Sequence, residues 1–500
     1  MADKFYITTP LYYVNASPHI GHSYTNIAAD TLARHMRQVL GDQKVWFLTG
    51  TDEHGQKIQK AATAEGLDPQ EFADKTVLQF KDLWKILAIS YNDFIRTTEE
   101  RHTKTVQKVL DILYRKKDIY EGKYEGLYCT PCETFWLASQ TGDGLCPDCK
   151  RPLEKIAEKN YFFKLSKYQN WLIDHLNKNR DFIKPASRYE EVLRFLELNK
   201  LEDLCISRPK ERLSWGITLP FSLGHVTYVW FDALINYISA VGEFDHQDEY
   251  HSAWWPADLH LIGKDILRQH AIYWPIMLKA LSIESPKTIF AHGWWMIGED
   301  KMSKSRGNAV NPIDLVNRFG IDAYRYFLLR DVPFGLDGNF SEEAVIKRIN
   351  SDLANDLGNL VYRTLTMVEK YFGRKVPEIS AALTYSQYAV RIRKALDNFG
   401  ANVEAGFLNL NFSESLEEIW KLINIANKYI EDTKPWNLLK ENKIDQLKIF
   451  ITLLIEVINR VEHAISPFMP QTAAAIREQS AGTEIKKGQP LFPRIDTLKT

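Results

Sequence analysis

A doubly wound parallel α/β sheet, split by an inserted domain and followed by an all-α bundle, is the fold class this 500-residue chain predicts. Three observations carry it. Strand, helix and strand succeed one another within about 45 residues of the start, which is a βαβ unit. Short apolar segments of the buried-strand type return in mid-chain after a polar, cysteine-bearing interval. Beyond Ser351 only helical periodicity remains.

Residues 4–9 (KFYITT) are rich in β-formers, and Pro10 ends the strand. After a turn at 15–18, Ile27, Leu32, Met36 and Leu40 mark one face of a helix over 22–40. Gly41 stops it, and residues 45–48 (VWFL) form a continuously apolar strand. From about residue 116 to 224 the rhythm breaks in a Lys-rich stretch, which reads as an insertion; it resumes at 226–234, 259–263 and 288–292. A long helix opens at Ser351, with Leu353, Leu357, Leu360, Val361, Leu365, Val368 and Phe372 on one face. A second starts at Ser415, Glu418 completing a capping box, and a third covers 445–465. The expected domains are 1–115 and 225–350 for the two sheet halves, 116–224 for the insertion with a cysteine knuckle near 126–152, 351–465 for the bundle, and a short polar tail over 466–500.

Composition narrows the function classes. With 45% hydrophobic and 25% charged residues the chain is globular, not disordered. No apolar run reaches the roughly 18 residues that span a bilayer, and the N-terminus lacks the pattern of a secretory signal, so a cytoplasmic location is expected. The 63 basic and 64 acidic residues exclude a globally basic coat for nucleic acid.

Four of the five cysteines, Cys129, Cys132, Cys146 and Cys149, form two C-x2-C pairs. One such pair is expected by chance only about 0.05 times at this cysteine content. Two knuckles complete a tetrahedral all-thiolate shell for zinc, and a closed shell is structural because it leaves no open ligand position. The competing reading is four buried thiols without metal. Cys205, alone, reads as core.

His19-Ile20-Gly21-His22 follows a strand and opens a helix. Two imidazoles beside a close-approach glycine place donors at the anion site of a helix N-terminus, where they can hold a triphosphate and stabilise growing charge. Read by themselves they are also consistent with plain capping residues. Lys301-Met302-Ser303-Lys304-Ser305 lies in a polar loop after an apolar segment; two lysines there can close over a pyrophosphate, although such a cluster alone is an ordinary solvated loop.

Together, HIGH at 19–22 and KMSKS at 301–305 resemble the signature pair of class I aminoacyl-tRNA synthetases. Further stretches resemble the methionyl-tRNA synthetases: PLYYVN at 10–15, GTDEHG at 50–55, VWFDA at 229–233, IGKDI at 262–266 and FAHG at 290–293. The resemblance runs collinearly to about residue 465 and implies a Rossmann-type catalytic domain with a zinc-knuckle connective insertion. It implies that His19, Gly21 and His22 bind ATP phosphates, that Lys301 and Lys304 hold the β- and γ-phosphates, that Gly263 and Asp265 meet the ribose, and that His292 and Met302 lie on the adenine side. The methionine pocket it implies is Leu11, Tyr13, Trp230, Ala233, Leu234, Tyr237, Ile266, His270 and Trp274, with Asp52 near the ammonium; Leu234 stands where family members often carry proline. An aromatic lining suits a flexible, polarizable thioether.

In the helical third, Asn359, Arg363 and Trp436 match the family's anticodon-reading positions. Asn359 and Arg363 share a helix face at i and i+4, and Trp436 can stack a base. Residues 351–500 carry 19 basic and 18 acidic side chains, so charge gives no independent support. The function expected is ATP-dependent activation of methionine and its transfer to tRNA(Met), with Mg2+ accompanying ATP, one structural Zn2+, and a monomeric enzyme. Another class I synthetase is the first alternative; the branched-chain enzymes need a large editing insertion, and a cysteine enzyme needs a zinc ligand in its pocket. An HxGH nucleotidyltransferase needs no helical third, and a non-catalytic tRNA-binding protein needs neither His19, His22 nor Lys304.

Overall fold

A computed structural model of the chain describes residues 3–130, 134–136, 141, 144–147, 149–297, 300–301, 310–379 and 386–496. It divides into two compact units, Met1–His292 and Gly293–Thr500.

The first unit is built on a six-stranded parallel sheet in the order Asp93–Arg96, Val45–Asp52, Phe5–Tyr13, Leu259–Gly263, Ile289–His292, Ile183–Lys184. Ile7, Phe47, Leu48, Leu261, Ile262 and Ile289 are buried, as strands covered on both faces must be. The chain winds outward one way from Phe5–Tyr13, then crosses to Leu259–Gly263 and winds the other way. The crevice at the carboxyl ends of those two strands is therefore the switch point where doubly wound sheets bind ligands.

Three features of this unit depart from the periodicity reading. The first strand continues through Pro10 to Tyr13, because a register shift between Thr8 and Leu11 takes up the proline that lacks a ladder donor. Residues 226–234 do not rejoin the parallel sheet. Ser222–Thr227 pairs antiparallel with Ser207–Pro209 and Thr218–Leu219, and Val229–Leu234 is a helix. A short apolar run has no period that separates strand from helix. Third, the insertion is not wholly separate: Ile183–Lys184 adds the edge strand to the central sheet. Its own four-stranded antiparallel sheet pairs Ile119–Cys129 with Glu154–Phe163 and flanks them with Thr134–Trp136 and Leu204–Cys205.

In the second unit a small sheet is formed by Trp295–Ile297, Asp300–Lys301 and Gly338–Asn339, with helices Pro312–Phe319 and Ile321–Arg330 between its last two strands in the chain. The long helix opens earlier than Ser351. Ser341 caps Glu342–Arg348 through the Ala344 amide, and the chain runs on through a π-helical stretch, Ile349–Gly358, into Asn359–Phe372. Ser351 sits inside, its hydroxyl donating to the Lys347 carbonyl one turn back. Ser415 is also internal to its helix, Phe412–Thr433, because its hydroxyl donates to the Val403 carbonyl of the neighbouring helix Gln387–Leu408. The third helix is Ile444–Ile465.

The segment after Pro467, read as a polar tail, folds instead as helix Pro470–Ser480. Ala473 and Ile476 are buried there, and the turn before it is gripped by Arg325, whose guanidinium donates to the Phe468 and Pro467 carbonyls. Among the described residues no helix is long and apolar enough to cross a membrane.

Candidate active site

The first turn of helix Ile20–Leu40 is closed by its own histidines. His19 is the N-cap: its Nδ1 accepts from the Gly21 amide at 3.1 Å, while His22 Nδ1 accepts from the His19 amide at 3.2 Å. The two rings stack with centroids 3.8 Å apart. With both Nδ1 atoms accepting, the neutral tautomer carries its proton on Nε2, so each ring offers an Nε2–H donor. A Cβ on Gly21 would lie 2.9 Å from His19 Cε1, so only glycine lets the ring fold back into the cap. Tyr12 and Phe80 pack the other side of His22.

Across the crevice, Gly263 and His292 are register partners at the ends of adjacent strands. His292 Nε2 lies 2.7 Å from Thr25 Oγ1, one turn into the histidine-capped helix, and its ring meets Tyr24 edge-on. Thus the structure brings His19, Gly21, His22, Gly263 and His292 to one end of the sheet. A Cβ on Gly263 would stand 2.6 Å from Asp265 Oδ1, which places that carboxylate directly over the strand end.

The expected amino-acid pocket lies beside this end. Tyr13 and Asp52 are register partners where the first two strands finish. Leu11, Tyr13, Trp230 and Ile266 pack against the cluster that holds Leu234, Tyr237 and Trp274. Two neutral hydrogen-bonded sets, joined by stacking of the Tyr237 and His260 rings, lie among them, and their proton positions follow from donor and acceptor types. The Ile266 carbonyl can only accept, at 2.9 Å, so His270 Nδ1 carries the proton and its Nε2 accepts from the Tyr237 hydroxyl at 2.7 Å. Trp274 Nε1 can only donate, at 3.1 Å, so His260 Nε2 accepts and its Nδ1–H donates to Thr8 Oγ1 at 2.7 Å. Burial lowers the His270 pKa to about 4 and pushes His260 well below its ordinary value, which keeps both rings neutral.

A family model for class I tRNA synthetases of the M type matches residues 5–155 and 151–365, and one for the anticodon-binding domain of tRNA ligases matches 391–493. The methionine–tRNA ligase of Caldanaerobacter subterraneus subsp. tengcongensis is 49% identical over 100% of this chain and 80% of its own. That of Bacillus subtilis is 42% identical over 99% of this chain and 78% of its own. A solved Mycobacterium tuberculosis methionyl-tRNA synthetase in complex with methionyl-adenylate superposes with a TM-score of 0.92, at 38% identity, covering 98% of this chain and 100% of that one. The chain belongs to the methionyl-tRNA synthetase family.

Several residues of this methionyl-type site escaped the sequence reading. Asp232, between the pocket residues Trp230 and Ala233, is wholly buried and lies 2.7 Å from His54 Nδ1 and 2.7 Å from His102 Nε2. Burial alone would raise its pKa; the two facing imidazoles outweigh that and hold the carboxyl below its ordinary range. Glu53, also wholly buried, takes a bidentate pair from Arg96 at 2.7 and 2.8 Å and hydroxyl donors from Thr51 and Thr98. The signal was three consecutive polar residues, Asp52-Glu53-His54, directly after a buried strand.

At the insertion's cysteines, Cys129, Cys146 and Cys149 bring their sulfurs within 4.8 Å of one another, and Cys129 and Cys149 stand 3.5 Å apart, too far for a disulfide. Three converging sulfurs form a donor set that could hold a metal. Cys132 lies outside the described residues, as do Met302 and Lys304. Lys301 is on the short strand Asp300–Lys301, paired with Met296. Cys205 is buried as core, which pushes its thiol up to about 11. In the helical unit of this synthetase-family chain, Asn359 is exposed at the start of helix Asn359–Phe372, with half-buried Arg363 one turn on. Trp436, 45% exposed, begins helix Pro435–Lys440 after a left-handed turn at Lys434.

Proposed function

We propose that the switch-point crevice binds ATP and methionine side by side, and that the residues gathered there carry the family's reaction. Joining methionine to tRNA with ATP is the activity of this chain. In the first step a methionine carboxylate oxygen bonds to the α-phosphorus, the bond to the β-phosphate oxygen breaks, and pyrophosphate leaves with the electron pair. Charge on the α-phosphate oxygens rises as the pentavalent state forms, and the Nε2–H donors of His19 and His22, fixed before the reaction by their mutual cap, would meet it. No side chain needs to give or take a proton in this step.

Lys301 and Lys304 would neutralise the β- and γ-phosphates, Gly263 would admit the ribose against the backbone with Asp265 beside it, and His292 and Met302 would face the adenine. Tyr13, Trp230, Tyr237 and Trp274 would line the methionine side chain, with Leu11, Ala233, Leu234, Ile266 and His270 completing the wall and Asp52 meeting the ammonium. The terminal ribose 2′-OH of tRNA(Met) then attacks the adenylate carbonyl and AMP leaves. Mg2+ would travel with the triphosphate and reduce its charge. Zn2+ would be held by Cys129, Cys132, Cys146 and Cys149, cross-linking the knuckle. Anticodon bases would meet Asn359, Arg363 and Trp436.

The observation that carries this reading is the reciprocal His19–His22 cap at the switch point. ATP–pyrophosphate exchange with a panel of amino acids tests it. Methionine is expected to support exchange well above every other amino acid; exchange that is fastest with another one would replace the pocket assignment.

A further inference from the structure

Asp232 joins parts of the first unit that the pocket reading treats separately. Its Oδ2 takes the Nδ1–H of His54, from the loop after strand Val45–Asp52. Its Oδ1 takes the Nε2–H of His102, from helix Glu100–Arg115. A carboxylate brings no hydrogens, so both imidazoles must donate, and His102 Nδ1 lies 2.9 Å from the Ser239 hydroxyl on its other side. The same His54 accepts, through its carbonyl, the Tyr13 hydroxyl at 2.9 Å. Trp215 closes the loop from above, its Nε1 donating to the Glu53 carbonyl at 2.6 Å and its carbonyl accepting from the Gly55 amide at 3.2 Å.

A wholly buried carboxylate is a costly way to pack a core that already has abundant apolar contacts. What it supplies in exchange is direction. One charge-assisted hydrogen bond ties Val229–Leu234 to the loop at His54 and the other ties it to helix Glu100–Arg115 at His102; together they fix it in distance and in rotation, which apolar packing tolerates only loosely. Pocket residues surround the tie: Asp52 two positions before His54, Tyr13 at the end of the neighbouring strand with its hydroxyl on the His54 carbonyl, and Trp230, Ala233 and Leu234 around Asp232.

We infer that Asp232 is a positioning residue of the amino-acid site, acting through His54 and His102 to set the Trp230–Ala233 wall against Asp52 and Tyr13 and so to fix affinity for methionine. This rests on the pocket reading above. The test uses the full chain in ATP–pyrophosphate exchange, with KM for methionine, KM for ATP and kcat measured on each variant. Asp232→Asn, which offers one acceptor to two donors, is expected to raise KM for methionine roughly tenfold to a hundredfold, the range for losing a hydrogen bond to a charged group, with KM for ATP changed under about twofold. His102→Leu is expected to do the same. His102→Gln, whose Nε2 can reach the same oxygen, is expected to restore most of the lost affinity. Trp230→Ala checks the pocket itself. If Trp230→Ala raises KM for methionine while Asp232→Asn leaves it unchanged, or raises both KM values together, the positioning role is overturned. If Trp230→Ala leaves KM for methionine unchanged, the pocket reading fails instead. Should Asp232→Asn not fold, the pair His102→Leu and His102→Gln decides: equal effects from both overturn the inference.

Discussion

In the unit ending at His292, the side chains expected to meet ATP and methionine are buried or half-buried apart from the exposed Asp265, and neighbours fix hydrogen-bonding roles among them: His19 by Gly21, His270 by Ile266 and Tyr237. In the unit from Gly293 onward, Asn359 and Trp436 stand exposed on helix surfaces, while the buried Asp322 and Arg325 grip the chain from Pro467 to Thr472. The difference follows from ligand size. A small charged reactant is stabilised by donors that are fixed before it arrives, in a crevice with little water. A splayed nucleic-acid base needs open aromatic and amide surface instead. If so, damage in the first unit will appear in adenylate formation, and damage at Trp436 only when tRNA is present.

The sharpest break of that contrast is attempted at His22. His22→Ala removes one preorganised donor and one half of the cap, and is expected to slow adenylate formation by roughly a hundredfold to a thousandfold, about 2.7–4 kcal/mol of barrier. Methionine affinity should hardly change, because the ring lies in the helix cap and not among the pocket aromatics. Lys304→Ala is expected to act in the same sense. Pre-steady-state adenylate formation with methionine binding measured alongside separates the two quantities; an unchanged rate with weakened methionine binding would put His22 in the amino-acid pocket.

The buried histidines predict a pH effect confined to the first unit. In the unfolded chain His270 takes up a proton near pH 6.5, whereas in the folded chain it does so only near pH 4. Between those values the unfolded state binds more protons, so stability is lost as pH falls from 6.5 towards 4, by about 3 kcal/mol at the lower end for this one group. Urea unfolding at pH 7 and pH 4.5 checks it. His270→Gln should lose less stability over that interval than the unmodified chain; an equal loss would mean that other groups govern acid sensitivity.

Metal removal is expected to act on the insertion alone. About one zinc per chain is expected by metal analysis, and chelation should lower the melting temperature while methionine-dependent exchange persists at reduced temperature. Full folding and stability in a metal-free chain would return the cysteines to plain core thiols.

How much of this was legible depended on whether a residue's role is local. The βαβ opening, the later strands at 259–263 and 288–292 and the helical third were readable because burial imposes a period or an apolar run. Val229–Leu234 was misassigned because its apolar run carries no period, and Asp232 within it entered only as a letter of the VWFDA stretch, with no role of its own. Its partners His54 and His102 lie 178 and 130 positions away, so no local pattern joins them. Helix starts at Ser351 and Ser415 were misplaced for a related reason: each hydroxyl had a carbonyl partner that spacing does not reveal, the Lys347 carbonyl one turn back and the Val403 carbonyl of a neighbouring helix. The histidine cap, by contrast, is contained in four residues.

The smallest effect is expected where the two units differ most. Trp436 has nearly half its surface exposed, begins a short helix, and is held in place by Pro435 and the left-handed turn at Lys434 and not by its own burial. Truncating it should therefore leave the fold almost unchanged. Trp436→Ala is expected to leave ATP–pyrophosphate exchange and melting temperature as they are, while weakening tRNA(Met) aminoacylation by about 1–3 kcal/mol in kcat/KM, the worth of one base stacked on an aromatic ring. Exchange needs no tRNA, so the pair of assays separates adenylate formation from tRNA recognition. Were exchange and aminoacylation to fall together, Trp436 would be supporting the fold, and exposed aromatic surface would no longer distinguish the helical unit from the sheet unit. Were neither to fall, the anticodon would have to be met elsewhere on the helical face, with Asn359 and Arg363 the next positions to change.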